Sequence, residues 1–187
     1  MSVGLTSSAY CAMTLALHPP RAGERVLDVG CGSLGTTLDL ARLVGKLGRV
    51  VGLDGCASAS PATLREAREA APPNASVAHG DLLTYAFEHP FDRAFTRLMT
   101  RCYGDPRPAL ASVRRALRPG GWLVLLKHVD DRARPCGAGP FASADAEVLR
   151  AIVAGAGYQD VAVEATIVAR GGAEAPHWCL TARSPLR

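Results

Sequence analysis

A carboxylate stands two residues before a glycine turn in the run Val26-Leu-Asp-Val-Gly-Cys-Gly-Ser-Leu-Gly35. The run reads as a buried strand, a turn and the start of a helix. Gly30, Gly32 and Gly35 have the G-x-G-x-x-G spacing, in which the missing side chain lets the backbone turn tightly and approach a ligand. Spacing of that kind is a weak signal by itself. Asp28 sharpens it, because a pyrophosphate at the following helix N-terminus would be repelled: unit charges about 4 Å apart interact by roughly 4 kcal/mol at an effective dielectric of 20. A ligand with a cationic amino group would be attracted.

Further acids fall where strands end. Asp54 closes the second apolar run and Asp81 follows the third, while Asp92 stands at the start of the fourth. In an open doubly wound sheet the ligand lies in the crevice outside the carboxyl ends of the strands, so Asp28, Asp54 and Asp81 would converge there. Asp54, with Gly55 beside it, can accept from both ribose hydroxyls, and Asp81 from an adenine amino group. S-adenosylmethionine carries an ammonium and a sulfonium and no phosphate, which suits Asp28 better than NAD does. Asp92 reads two ways: as a further site acid, or as an anchor for the start of its strand.

The elements that must position these groups follow from the hydrophobic pattern. Apolar runs alternate with helical stretches, the signature of a parallel sheet with helices on both faces. Strands are expected at 25–29, 50–53, 76–79, 91–96 and 122–127, and helices at 7–17, 35–44, 61–71 and 106–117. Pro119-Gly-Gly121 reads as the turn into the fifth strand, and residues 128–141 as the longest loop. Ser143 is the expected cap of a helix reaching 154. Strands at 161–169 and 177–182 are joined by Arg170-Gly-Gly-Ala173, a short connection that implies an antiparallel pair. The 187 residues and 19.6 kDa fit one domain.

Composition narrows the partners. The net charge of +4 comes almost wholly from arginine, and the arginines are interleaved with acids as in Arg65-Glu-Ala-Arg-Glu69. That pattern suits a solvated helix face better than a nucleic-acid footprint. No apolar run approaches the roughly 20 residues of a membrane helix, and residues 1–17 do not read as a secretion signal. The six cysteines form no C-x-x-C pair and no zinc-like spacing with histidine. Reduced thiols, a cytoplasmic location, no metal, and a monomer or homodimer are therefore expected.

The chain resembles the class I S-adenosylmethionine-dependent methyltransferases, in particular the small-molecule methyltransferase-domain group. The likeness rests on Val26-Leu-Asp-Val-Gly-Cys-Gly32, Val51-Gly-Leu-Asp54, His79-Gly-Asp-Leu-Leu83, Phe91-Asp92 and Leu117-Arg-Pro-Gly-Gly-Trp-Leu123. The resemblance implies a Rossmann-like, doubly wound seven-stranded sheet, mostly parallel with the last strand antiparallel. It also implies Gly30, Cys31 and Gly32 against the methionine part, Asp54 on the ribose, and Asp81 with Leu82 near the adenine. Relatives usually carry glycine at the position of Leu34; here the third glycine is Gly35, so an altered loop shape is expected.

Residues 1–20 would then be a helical cover, 21–127 the cofactor core, and 128–187 the substrate-side loop, helix and hairpin. His128, trailed by Asp130 and Asp131, has a side chain of suitable ordinary pKa for a general base and for substrate contact, with a satisfied or solvent-facing histidine as the alternative. Arg97 and Arg101 follow the fourth strand and can clamp a carboxylate; Arg97 is also assigned to the cofactor side. Tyr10, on the N-terminal helix, is a candidate substrate contact. Cys31 serves as a small apolar filler between glycines. His177-Trp178 reads as core. The expected reaction is methyl transfer to an oxygen, nitrogen or carbon of a small molecule such as a secondary metabolite. The alternatives are an NAD-dependent oxidoreductase using the same glycines, and a repurposed member that binds the cofactor as a partner protein or runs a non-methylating reaction.

Overall fold

The structure is a computed structural model that describes residues 15, 17–32, 34–55, 65, 69, 71–97, 105–129, 144–170 and 173–186. Its strands are β1 (Arg25–Val29), β2 (Arg49–Asp54), β3 (Ala75–His79), β4 (Phe91–Arg97), β5 (Leu117–His128), β6 (Gln159–Arg170) and β7 (Ala173–Arg183). The helices are α1 (Gly35–Val44), α2 (Arg107–Ala116) and α3 (Ala146–Gly155). The seven strands form one sheet in the order β3-β2-β1-β4-β5-β7-β6. β1 to β5 pair in parallel, and β7 runs antiparallel between β5 and β6. β1 lies between β2 and β4, so the order reverses beside it and opens the crevice at its carboxyl end.

Both faces of the sheet are buried, and successive residues of a strand serve opposite faces. Leu27, Ala94, Leu123, Leu125 and Leu180 pack with Leu110 and Val113 of α2 and Leu149 and Val153 of α3. Val26, Val50, Phe95 and Val124 pack with Leu40 and Val44 of α1 and with Leu15, which is helical. Tyr158 ties α3's trailing turn to α2: its hydroxyl donates to the Leu110 carbonyl at 3.1 Å, and burial pushes its pKa up.

Three expectations are corrected in detail. β5 begins at Leu117, not Trp122, because Pro119-Gly-Gly121 forms a bulge within the strand: Phe91 pairs with Leu117 and Arg93 already with Trp122. Gly120, at φ 71°, donates its N–H to the Ser184 carbonyl, and the Gly121 carbonyl accepts from the Ser184 N–H. α3 is capped by Asp145, whose carboxylate accepts from the Val148 N–H at 2.9 Å; Ser143 lies outside the described residues. The final hairpin is longer than its apolar pattern suggested, because β6 and β7 continue their pairing to Arg170 and Ala173. Of the helix expected at 61–71, Arg65, Glu69 and Ala71 are described: the first two are helical, and the chain already bends at Ala71. No helix among the described residues is long and apolar enough to cross a membrane.

Candidate functional site

β1 delivers Asp28 to the crevice one residue before the strand ends, at 1% exposure. Its neighbours in the sheet are Gly52 on β2 and Phe95 on β4. Gly52 makes the local packing feasible: a Cβ there would stand 2.9 Å from Thr37 Oγ1 and 3.0 Å from Cys31 Sγ. Through that space Thr37, in the first turn of α1, donates to Asp28 Oδ2 at 2.7 Å. The buried carboxyl group thus has a protein donor that fixes its placement.

The turn after β1 is held onto the end of β2. Gly30 donates its N–H to the Leu53 carbonyl at 2.8 Å and Cys31 to the same oxygen at 3.4 Å. Gly32 donates its N–H to Asp54 Oδ2 at 2.7 Å. Gly30 and Gly32 have φ of 76° and 50°, a region where a side chain is costly. At the displaced third glycine, Gly35 is the first residue of α1, and Leu34 itself takes the left-handed conformation at φ 65°. That conformation costs a leucine about 1–2 kcal/mol. Burial at 1% exposure against Cys31 and Val77 offsets it, since a fully buried leucine gains about 1.5–3 kcal/mol.

The loops after β2 and β3 touch through glycines. A Cβ on Gly55 would lie 2.7 Å from the Gly80 carbonyl oxygen, and one on Gly80 would meet the Tyr85 ring at 2.7 Å. Gly80 also donates its N–H to the Asp54 carbonyl at 3.1 Å. Asp81 is exposed, and its Oδ1 accepts from the Leu83 N–H at 3.0 Å. Leu82 is 4% exposed in the main core, so its side chain anchors this loop. Among the described residues, a Cβ on Gly32 would meet nothing within 4 Å.

The remaining candidates separate by place. Arg97 and His128 end β4 and β5, at the same edge of the sheet as the glycine turn, and His128 pairs with His177. Tyr10 and Arg101 lie outside the described residues. Asp92 accepts from the Arg25 N–H at 2.7 Å and pairs with Arg118, at the opposite end of the sheet, so it anchors its strand. His177 is buried and Trp178 partly buried in the sheet, as expected. Burial, with Glu164 beside it, pushes the Cys179 thiol up to about 11, so it stays protonated and unreactive at neutral pH. Among the described residues no group of three histidines, cysteines or acids could hold a metal ion.

Reading the sequence missed Thr37, Gly52 and the anchoring role of Leu34. A glycine inside the apolar strand Arg49–Asp54 was the available signal, since such a glycine marks a close approach. A cavity of about 640 Å³ lined by Arg25, Arg49, Ser76, Tyr85 and His89 among others shares no residue with the turn or its three acids.

A family profile described as a methyltransferase domain matches residues 26–121. The chain is 39% identical over 121 residues to an uncharacterized 37.1 kDa protein in transposon TN4556 of Streptomyces fradiae, covering 63% of this chain and 34% of that one. It is 31% identical over 108 residues to demethylmenaquinone methyltransferase of Staphylococcus saprophyticus, covering 57% and 46%. The chain thus spans less than half the length of these curated relatives. Among solved structures it is similar to a SAM-dependent methyltransferase from Aquifex aeolicus, with a TM-score of 0.69 at 19% identity over 93% of this chain and 89% of that one. It is also similar to Haemonchus contortus phosphoethanolamine N-methyltransferase 2 in complex with S-adenosyl-L-methionine, with a TM-score of 0.70 at 17% identity over 94% and 52%. These likenesses establish the fold.

Proposed function

The chain belongs to the methyltransferase-domain family, and from that premise we propose that it binds S-adenosylmethionine over the glycine turn and transfers its methyl group to an oxygen, nitrogen or carbon of a small molecule. The observation that carries this reading is the pairing of Gly32 with Asp54: a carboxylate oriented by a backbone N–H at 2.7 Å, beside a glycine whose Cβ position meets nothing within 4 Å among the described residues. The acceptor set fits the ligand, since ribose hydroxyls and an ammonium both call for carboxylate acceptors. When bound, the cofactor supplies an electrophilic methyl on a sulfonium.

The chain's own residues supply position. Asp54 accepts from the ribose hydroxyls, and Asp28, steadied by Thr37, sets a negative potential at the methionine end. Asp81 serves the adenine side. Holding two reactants about 3–3.5 Å apart can supply roughly 7–11 kcal/mol of barrier reduction, so orientation is the main contribution asked of this site. His128 removes a proton where the acceptor must lose one. In this reading residues 1–20 cover the cofactor, 21–127 hold it, and 128–187 face the acceptor within one domain.

Titration with S-adenosylhomocysteine and with NADH separates this reading from an oxidoreductase on the same turn. Saturable binding of the former and none of the latter is expected, and the reverse pattern would overturn the proposal. Replacing His128 by alanine is expected to lower turnover while leaving cofactor binding intact; unchanged turnover removes it as a base.

A further inference from the structure

We propose that Leu34 is the positioning residue of the cofactor turn, fixing with a buried side chain a conformation that a glycine would permit but not enforce. The inference rests on the cofactor reading above.

Residue 34 is the hinge between turn and helix. Its N–H donates to the Cys31 carbonyl at 2.9 Å, and its own carbonyl accepts from the Leu38 N–H at 2.9 Å, the first bond of α1. Its side chain sits in a satellite cluster with Cys31 and Val77, flanked by Leu38. Val77 belongs to β3, so the cluster ties the turn to a strand two places away in the sheet. On its other side the turn is tied to β2 through Gly30, Cys31 and Gly32. The Gly32 N–H that orients Asp54 therefore lies between two attachments, one of backbone hydrogen bonds and one of buried side chains.

The backbone angle makes the second attachment decisive. At φ 65° a leucine is held only as long as its side chain stays packed, because the free residue prefers negative φ. Loss of the packing turns the backbone toward that preference and carries Gly32 away from Asp54. This yields an ordering that simple cavity formation does not. Alanine at 34 loses the packing and keeps the aversion to positive φ, whereas glycine loses the packing but tolerates the angle.

The test is calorimetric titration of S-adenosylhomocysteine into wild type, L34A, L34G and L149A, each well below its melting temperature. Leu149 is fully buried on α3, in the main core rather than this cluster. We expect the dissociation constant to rise about tenfold in L34A and about threefold in L34G, where tenfold corresponds to about 1.4 kcal/mol. In L149A it should stay within about twofold although the melting temperature falls. An L34A affinity within twofold of wild type, a reversed order of alanine and glycine, or an equal loss in L149A overturns the inference. Should L34A fail to fold, V77A removes the far wall of the same cluster and should weaken binding measurably; wild-type affinity there overturns it too. Absence of binding by the wild type is a different result, since it removes the cofactor reading itself and this inference with it.

Discussion

The two halves of the sheet end differently. At the carboxyl ends of β1, β2 and β3, carboxylates and glycines are fixed by backbone groups: Gly32 on Asp54, Gly80 on the Asp54 carbonyl, Leu83 on Asp81. The β5–β7–β6 half is built from long strands whose order comes from side-chain packing, with Leu125, Leu180 and Leu149 in one continuous core. In the proposed reading, the main chain of the first half moulds the cofactor site, and the second half supports it and faces the acceptor only at the strand end carrying His128. Damage to the first should be read in binding, and damage to the second in stability.

The largest expected effect is Gly52→Ala. Its Cβ would crowd both Thr37 Oγ1 and Cys31 Sγ, so it disturbs Asp28 and the turn together. Overpacking costs about 1–3 kcal/mol, and here we expect S-adenosylhomocysteine affinity to fall about a hundredfold in calorimetry. Retained wild-type affinity would break the distinction between the halves. Thr37→Val, nearly isosteric, removes one hydrogen bond from the buried Asp28 carboxylate. A loss of about 1–3 kcal/mol is expected, visible in both urea unfolding and cofactor affinity.

On the supporting half, Asp145→Ala removes the cap of α3 and should cost about 1 kcal/mol of stability with cofactor affinity unchanged. A weakened affinity there would show that the halves are coupled. The smallest effect concerns pH. Burial holds His18 below its ordinary pKa of 6.5, opposed by Glu164 and aided by Arg93. The folded state thus favours the neutral ring, so this contribution is present above about pH 6.5 and lost as pH falls. Melting temperature should decline from pH 7 toward pH 5, and less steeply in His18→Gln; parallel declines would refute the assignment.

How much of this was legible in the sequence follows the same division. Asp28, Gly30, Gly32 and Asp54 could be read because a tight turn and a strand end admit few residue types. Their convergence at β1 and β2 is what the register then produced. Thr37 was not legible, because a helix threonine meets a strand carboxylate only through the placement of α1 on β1. The left-handed conformation of Leu34 was not legible, since local burial offsets an unfavourable angle that no spacing rule records. Ser143 and Asp145 are both good caps two residues apart, and only the hydrogen bond to Val148 chooses between them. The bulge at Pro119-Gly-Gly121 depends on the distant Ser184, which local turn chemistry does not contain.

The central claim is that Asp54 and the turn at Gly30 to Leu34 form a preset cradle for S-adenosylmethionine. A crystal structure of the chain with S-adenosylhomocysteine tests it most directly. The account predicts both ribose hydroxyls within hydrogen-bond reach of Asp54, the homocysteine end over Gly32, and Leu34 still left-handed and buried. A ligand bound away from Asp54, or a turn that rebuilds around it with Leu34 released, would contradict it.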